Sequence, residues 1–183
     1  MTTLRASPFL LTYPNDVIVK VQSYNADGWS ANSSLSATGA TMEDVPVQMA
    51  APTEVSGGPR QVIVAFTTLT GTSQRGDTIT KYALEYKKTA DSSYTVIDSV
   101  TSPVTVSSLV TSTSYMYRVK AYNKHGYSTQ SNVLTVTTDT DVPDAPTNVA
   151  VAKSTNGLGF SITWNDGASL NGLAVTKYLI WVR

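Results

Sequence analysis

Cysteine is absent, histidine occurs once, at His125, and no run of apolar residues is longer than about five. Each absence excludes a class of chemistry. Without cysteine there is no disulfide, no thiolate nucleophile and no cysteine metal site. One imidazole cannot make a paired-histidine metal site. Five apolar residues fall far short of the ~20 that a membrane-spanning helix needs. Charge is also scarce: 14% of residues are Asp, Glu, Lys or Arg, well below the usual quarter or so. Thirteen basic and thirteen acidic residues cancel, so no basic field exists to hold a phosphate backbone, and nucleic acid is not an expected partner. No glycine-rich phosphate loop, nucleophile elbow or HExxH pair occurs, and the carboxylates are scattered singly. The chain reads as no enzyme, with no cofactor and no metal. The start, MTTLRASPFLLTYPND, has one Arg, a short apolar patch from Phe9 to Leu11 and no small-residue cleavage site. It is not a secretory signal, so a secreted parent would carry its signal outside this chain.

What remains is apolar and hydroxylic. Hydrophobic residues make up 41%, enough to bury cores and to exclude wholesale disorder. Serine and threonine supply about a quarter of the chain, a surface suited to an extracellular or cell-surface setting. The segment VKVQSYNADGWS (19–30) lies over YRVKAYNKHGYS (117–128) at a constant offset of 98. Tyr24-Asn25 falls on Tyr122-Asn123, Gly28 on Gly126, and Trp29-Ser30 on Tyr127-Ser128. A second repeat joins the middle to the end. Asp44-Val45-Pro46 recurs as Asp141-Val142-Pro143, Ala51-Pro52-Thr53 as Ala145-Pro146-Thr147, Phe66 as Trp164, and ITKYALEY (79–86) as VTKYLIWV (175–182). Repeats with a period near 97 residues mean stacked copies of one unit. The two Asp-Val-Pro sites mark the boundaries, since proline ends strand pairing.

Within the repeat the local pattern is alternation. Val62, Val64 and Phe66 alternate, as do Tyr82, Leu84 and Tyr86, and Tyr115, Tyr117, Val119 and Ala121. Each run is short and bounded by Gly, Asn, Asp, Ser or Pro, and no stretch shows an apolar period of 3.6. The expected fold class is all-β, an antiparallel sandwich with one wet face per sheet.

The run Tyr115, Tyr117, Val119, Ala121, Asn123, Gly126, Ser128, with Leu109 before it, resembles the F-strand signature of fibronectin type III modules. Trp164 and Phe66 stand at that family's B-strand aromatic, Tyr82 and Tyr178 at its C-strand tyrosine, and Pro52 and Pro146 at its opening proline. The resemblance implies tandem immunoglobulin-like sandwiches in three parts. Residues 46–140 form a complete module with strands A, B, C, C′, E, F and G. Residues 1–45 match the C-terminal half of a module (E-F-G), and residues 141–183 the N-terminal half of another (A-B-C). One position departs: the tyrosine-corner residue of the first segment is Val17, which has no hydroxyl to bond back to the backbone.

Few residues qualify as sites. Arg75-Gly76-Asp77 spells an adhesion tripeptide in the expected BC loop, where a guanidinium and a carboxylate from one turn could engage a receptor metal site. Gly76 also falls on Gly172, which makes it a framework turn residue. Asn32-Ser33-Ser34 is a candidate N-glycosylation sequon. His125 falls in the FG turn as an exposed loop residue. Trp29, Trp164, Trp181, Tyr82, Tyr86, Tyr115 and Tyr117 read as core rather than as a carbohydrate platform. Trp181 has opposite parity to Tyr178 and Ile180, which turns it toward solvent or a neighbour.

The resulting expectation is a structural or adhesive rod-like scaffold and protein-interaction segment of a larger extracellular, cell-surface or intracellular filament protein. Its partners would be other proteins, including neighbouring modules or copies of itself. The alternatives are a spacer in a larger secreted enzyme, or a filament protomer whose split end modules complement each other in trans.

Overall fold

A computed structural model describes residues 11–183. The expected first strand of the N-terminal segment and most of the Phe9–Leu11 patch fall outside the described residues. Apart from a 3-10 turn at Gly71–Gln74, the regular structure among the described residues is strand.

The middle of the chain forms two antiparallel sheets. One has the order β5 (Thr53–Gly57), β6 (Gln61–Ala65), β9 (Val104–Ser107). In the other, β10 (Ser114–Asn123) is flanked by β7 (Lys81–Lys88) and then β8 (Thr95–Val100) on one side. On its other side β10 pairs with the two short strands β11 (Gly126–Tyr127) and β12 (Leu134–Thr137). Strand β10 forms because aromatic and β-branched side chains alternate with polar ones over ten residues. Tyr115, Tyr117, Val119, Ala121 and Asn123 point inward and are buried. The first four meet Val62 and Val64 of β6, Val104 and Val106 of β9, Leu84 of β7, Phe66 and Met49 in one core, while Asn123 donates to the Asp44 and Gln74 carbonyls. Each fully buried side chain of this size contributes roughly 1.5–3 kcal/mol. Strand β7 departs from simple alternation: Ala83, Leu84 and Glu85 are all buried, while Tyr82 and Tyr86 are half-buried. Leu84 faces the core, and Glu85 is covered on the opposite face by Arg118 and Lys120.

Two tyrosines use their hydroxyls differently. Tyr115 accepts the Val110 N–H at 3.0 Å, the backbone-tying bond expected of a tyrosine corner. The Tyr117 hydroxyl is fully buried and has no hydrogen-bond partner. Burial holds its pKa well above the usual tyrosine range, so it stays a neutral, unpaired dipole. An unpaired buried polar group costs about 1–3 kcal/mol. Tyr117→Phe should therefore raise the unfolding free energy by about 1 kcal/mol in urea titration. A loss of that size instead would mean that the hydroxyl has a partner in solution.

The edge beside β10 is held by serines. Between β11 and β12, the Oγ atoms of Ser128 and Ser131 accept the N–H groups of Ala121 and Val119 at 3.1 and 3.0 Å. The same device recurs in the N-terminal segment: Ser30, Ser33 and Ser36 accept from Ser23, Val21 and Val19 at 3.0, 3.0 and 3.3 Å. There β1 (Asp16–Val17) pairs with β4 (Ala40–Thr41), and β2 (Tyr24–Asn25) pairs with β3 (Gly28–Trp29). Val17 lies in β1 opposite Ala40. Gly28 and Gly126 share a φ of 133°. The rings of Tyr24 and Trp29 lie 4.9 Å apart, and those of Tyr122 and Tyr127 4.8 Å. At the other end β13 (Thr147–Lys153) pairs with β14 (Phe160–Asn165) as β5 pairs with β6, each with a register shift near the start. Trp164 and Tyr178 lie 5.1 Å apart, as do Phe66 and Tyr82.

Local geometry is repeated in the flanks, but burial is not. Val21, Tyr24 and Trp29 are exposed, as are Val149, Val151, Phe160, Tyr178, Ile180 and Trp181. Residues 175–182 match 79–86 in sequence yet carry no strand. A strand needs a ladder partner. Strand β7 has β10 and β8 on its two sides, and no counterpart of β10 follows residue 175 among the described residues. The parity expected to set Trp181 apart from Tyr178 and Ile180 is lost with the strand, and all three are exposed.

Candidate functional site

The places where sequence repeats, turn geometry and charge converge are the two Asp-Val-Pro linkers. In the first, the Asp44 N–H donates to the Arg75 carbonyl at 3.1 Å, and the Val47 N–H to that of Ser73 at 3.1 Å. In the second, the Asp141 N–H donates to the Asn171 carbonyl at 3.0 Å, and the Asp144 N–H to that of Ser169 at 2.9 Å. Each linker aspartate also accepts the next N–H with its own carboxylate, Val45 in one case and Val142 in the other, both at 2.8 Å. The receiving turn has the same shape twice. Arg75 and Asn171 are left-handed, with φ 53° and 51°, and the glycines after them have φ 86° and 97°. Such an L-residue–glycine pair reverses the chain tightly at little steric cost only because the second residue lacks a Cβ.

Arg75, Gly76 and Asp77 are built into this joint. The Arg75 guanidinium lies 3.2 Å from the Asp44 carboxylate and 6.0 Å from the centre of the Tyr13 ring. Asp77 accepts the Lys124 N–H at 2.9 Å, a bond that holds its carboxyl below the usual range. The guanidinium and the carboxylate therefore answer to different partners. His125 and Lys124 both reach Glu43, at 3.0 and 2.5 Å; the lysine first and the histidine second lower the Glu43 pKa. His125 is exposed, as the sequence leads one to expect, although its ring reaches Glu43 beside the linker.

The wet face of the larger sheet carries the other concentration of charge. Glu85, 4% exposed, receives Arg118 Nε and Lys120 Nζ, each at 2.6 Å. Burial pushes its pKa up, but bonds from Lys120 and Arg118 outweigh that and hold it below the usual range. Arg118 sits 3.8 Å over the Tyr94 ring, and Lys120 4.4 Å over Tyr127, stacking that adds to the pairing. Lys81 and Tyr127 both bond Asp98, at 2.5 and 2.8 Å. Cross-strand pairing sets this order, with Arg118 opposite Glu85 and Tyr122 opposite Lys81. The lattice could have been found in the sequence as the polar parity of 81–87 and 116–122. Sequence reasoning followed only the apolar parity and missed it.

Asn32 is exposed, beside the Ser33 that binds Val21. Tyr115 and Tyr117 are core, Tyr82 and Tyr86 pack against the core, and Trp29, Trp164 and Tyr178 lie in the flanks. Among the described residues no group of three or more His, Asp or Glu side chains could hold a metal ion, and no helix is long and apolar enough to cross a membrane.

Residues 50–137 match the family model described as fibronectin type III domain. Fibronectin type-III domain-containing protein 3A of Pongo abelii is 37% identical over 76 residues, which cover 42% of this chain and 7% of that protein. The Homo sapiens protein of the same description is 36% identical over 76 residues, 42% of this chain and 6% of that protein. The chain thus spans less than a tenth of these relatives. A crystal structure of consecutive titin domains superposes with a TM-score of 0.50 at 23% identity, over 70% of this chain and 43% of that one, a likeness of fold. Residues 50–137 of this chain are accordingly a fibronectin type III domain, a β-sandwich homologous to a domain of fibronectin type-III domain-containing protein 3A.

Proposed function

We propose that the chain is a non-catalytic segment of a tandem array, working as a rod-like spacer and protein-interaction scaffold. In this reading residues 1–45 and 141–183 are pieces of neighbouring modules. The observation that carries it is the repetition of module geometry outside the matched domain. The serine ladder at 19–36 and the Trp164–Tyr178 pair at 5.1 Å reproduce bonds and contacts of the complete domain, yet their apolar faces are open. Such faces are the inner faces of half-sandwiches whose remaining strands lie elsewhere. Function in an array of this kind resides in spacing, stiffness and surface contacts. The test is the reading frame on either side of this chain. Further modules of ~97 residues support the rod, while an adjoining catalytic domain makes this segment an enzyme's spacer.

The low charge and abundant hydroxyls support an extracellular or cell-surface setting, with Asn32 as the glycosylation site. Expression through a secretory pathway with glycosidase treatment tests both at once, since an unshifted band counts against Asn32. Adhesion through Arg75-Gly76-Asp77 has less support, because both charged side chains are already engaged within the joint. Cell attachment to the purified chain should be the same before and after Asp77→Glu. Attachment lost on that change would restore the adhesive reading.

A further inference from the structure

We infer that the turn holding Arg75 or Asn171 is a docking socket for the preceding module, so that each Asp-Val-Pro linker is a rigid joint and not a hinge. The inference rests on reading the flanks as parts of neighbouring modules, and adds what fixes them. Flexible connection is the default between domains joined by short linkers, so rigidity needs specific contacts. The two junctions supply the same ones independently.

Two main-chain bonds, three residues apart on the linker, tie each linker to the turn that follows it. The left-handed residue of the turn then reaches backward across the boundary. Asn171 donates to the Val142 carbonyl at 2.7 Å and to the Asp144 carboxylate at 3.2 Å. Its carbonyl oxygen accepts from Arg60 at 3.2 Å and from the Thr111 hydroxyl at 3.3 Å, both in the preceding domain. With four such bonds the side chain is nearly saturated, and Asn171 is buried although the segment around it is open. At the first junction Arg75 occupies the same place and reaches Asp44 of the linker and the ring of Tyr13. Tyr13 falls on Thr111 at the repeat offset of 98. Two side chains of different chemistry thus contact the same two elements, the linker and the loop before β10 or its equivalent.

The glycines give a second line of support. A Cβ on Gly172 would come within 2.6 Å of Ser112 and 2.9 Å of Thr140, and one on Gly76 within 2.9 Å of Glu43. Ser112 belongs to the preceding domain, and Thr140 and Glu43 are the residues just before the two linkers. In both joints the following turn approaches as closely as only glycine permits. The socket's partner is therefore another module of this same kind, presenting its loop and its Asp-Val-Pro exit together.

Spin-label distance measurement on the full chain tests this, and the absence of native cysteine makes labelling direct. One pair, Thr105→Cys with Leu158→Cys, spans the second joint. A control pair, Thr147→Cys with Leu158→Cys, lies within the C-terminal hairpin. Rigidity predicts equally narrow distributions for the two pairs. Asn171→Gly permits the positive φ and deletes the side chain; it should broaden the joint pair about twofold, toward ordinary interdomain freedom, and leave the control unchanged. A narrow control with a broad joint pair overturns the rigid joint but leaves the flank a folded piece of a module. Broad distributions for both pairs overturn the socket and the reading of the flank together. A joint pair that stays narrow in Asn171→Gly removes the side chain from the mechanism and overturns the socket as described.

Discussion

Replacing Phe66 with alanine should lower the unfolding free energy by about 3–5 kcal/mol, the usual range for a large aromatic removed from a core. Phe66 is 8% exposed and lies 5.1 Å from the Tyr82 ring. It belongs to one cluster with Val62, Val64, Val104, Leu109 and Tyr115. These side chains project from two sheets whose hydrogen-bond ladders fix their positions, so they cannot close over the gap. Part of the loss is therefore the residual cavity and not only the lost transfer energy. The backbone at this point is also tied, since the Phe66 N–H donates to Ser102 Oγ at 2.9 Å. That bond survives the substitution, and the effect measures packing alone. Urea unfolding followed by tyrosine fluorescence reads it directly. A loss under about 1 kcal/mol, the size typical of surface changes, would place Phe66 outside the core.

Hydrogen exchange should divide the chain sharply. Amides of β6, β7 and β10 exchange only when the whole domain unfolds, because each strand is paired on both sides and lies over the buried cluster. Amides at 19–36 and 147–165 are bonded as well, but within two-stranded ribbons whose apolar faces are open. A ribbon without a core opens at little cost. For a domain stability of ordinary size, the contrast should be roughly 10³-fold in exchange rate. Equal protection across all three regions in a monomer would show that the flanks are stable alone. Protection of the flanks that appears only as concentration rises would show that open faces from different chains complete each other, the self-complementing filament.

The sequence by itself determined the fold class. Alternation at Tyr115, Tyr117, Val119 and Ala121 carries that information locally, because a strand's side chains take opposite faces in strict turn. Segments related by the offset of 98 share bonds as fine as the serine ladder, because similar segments fold on the same local rules. Other features needed the tertiary structure. Whether 175–182 becomes a strand depends on a ladder partner distant in the chain, and the segment's own pattern does not reveal its absence. Glu85 reads as a solvent-facing residue of an alternating strand, and it is buried only because β10 brings Arg118 and Lys120 over it. Arg75, Gly76 and Asp77 read as a display loop; contact with Asp44 and Lys124 makes them part of a joint. Strand, period and turn are properties of neighbours in sequence, whereas burial, pairing and charge compensation belong to neighbours in space, which long-range register alone decides.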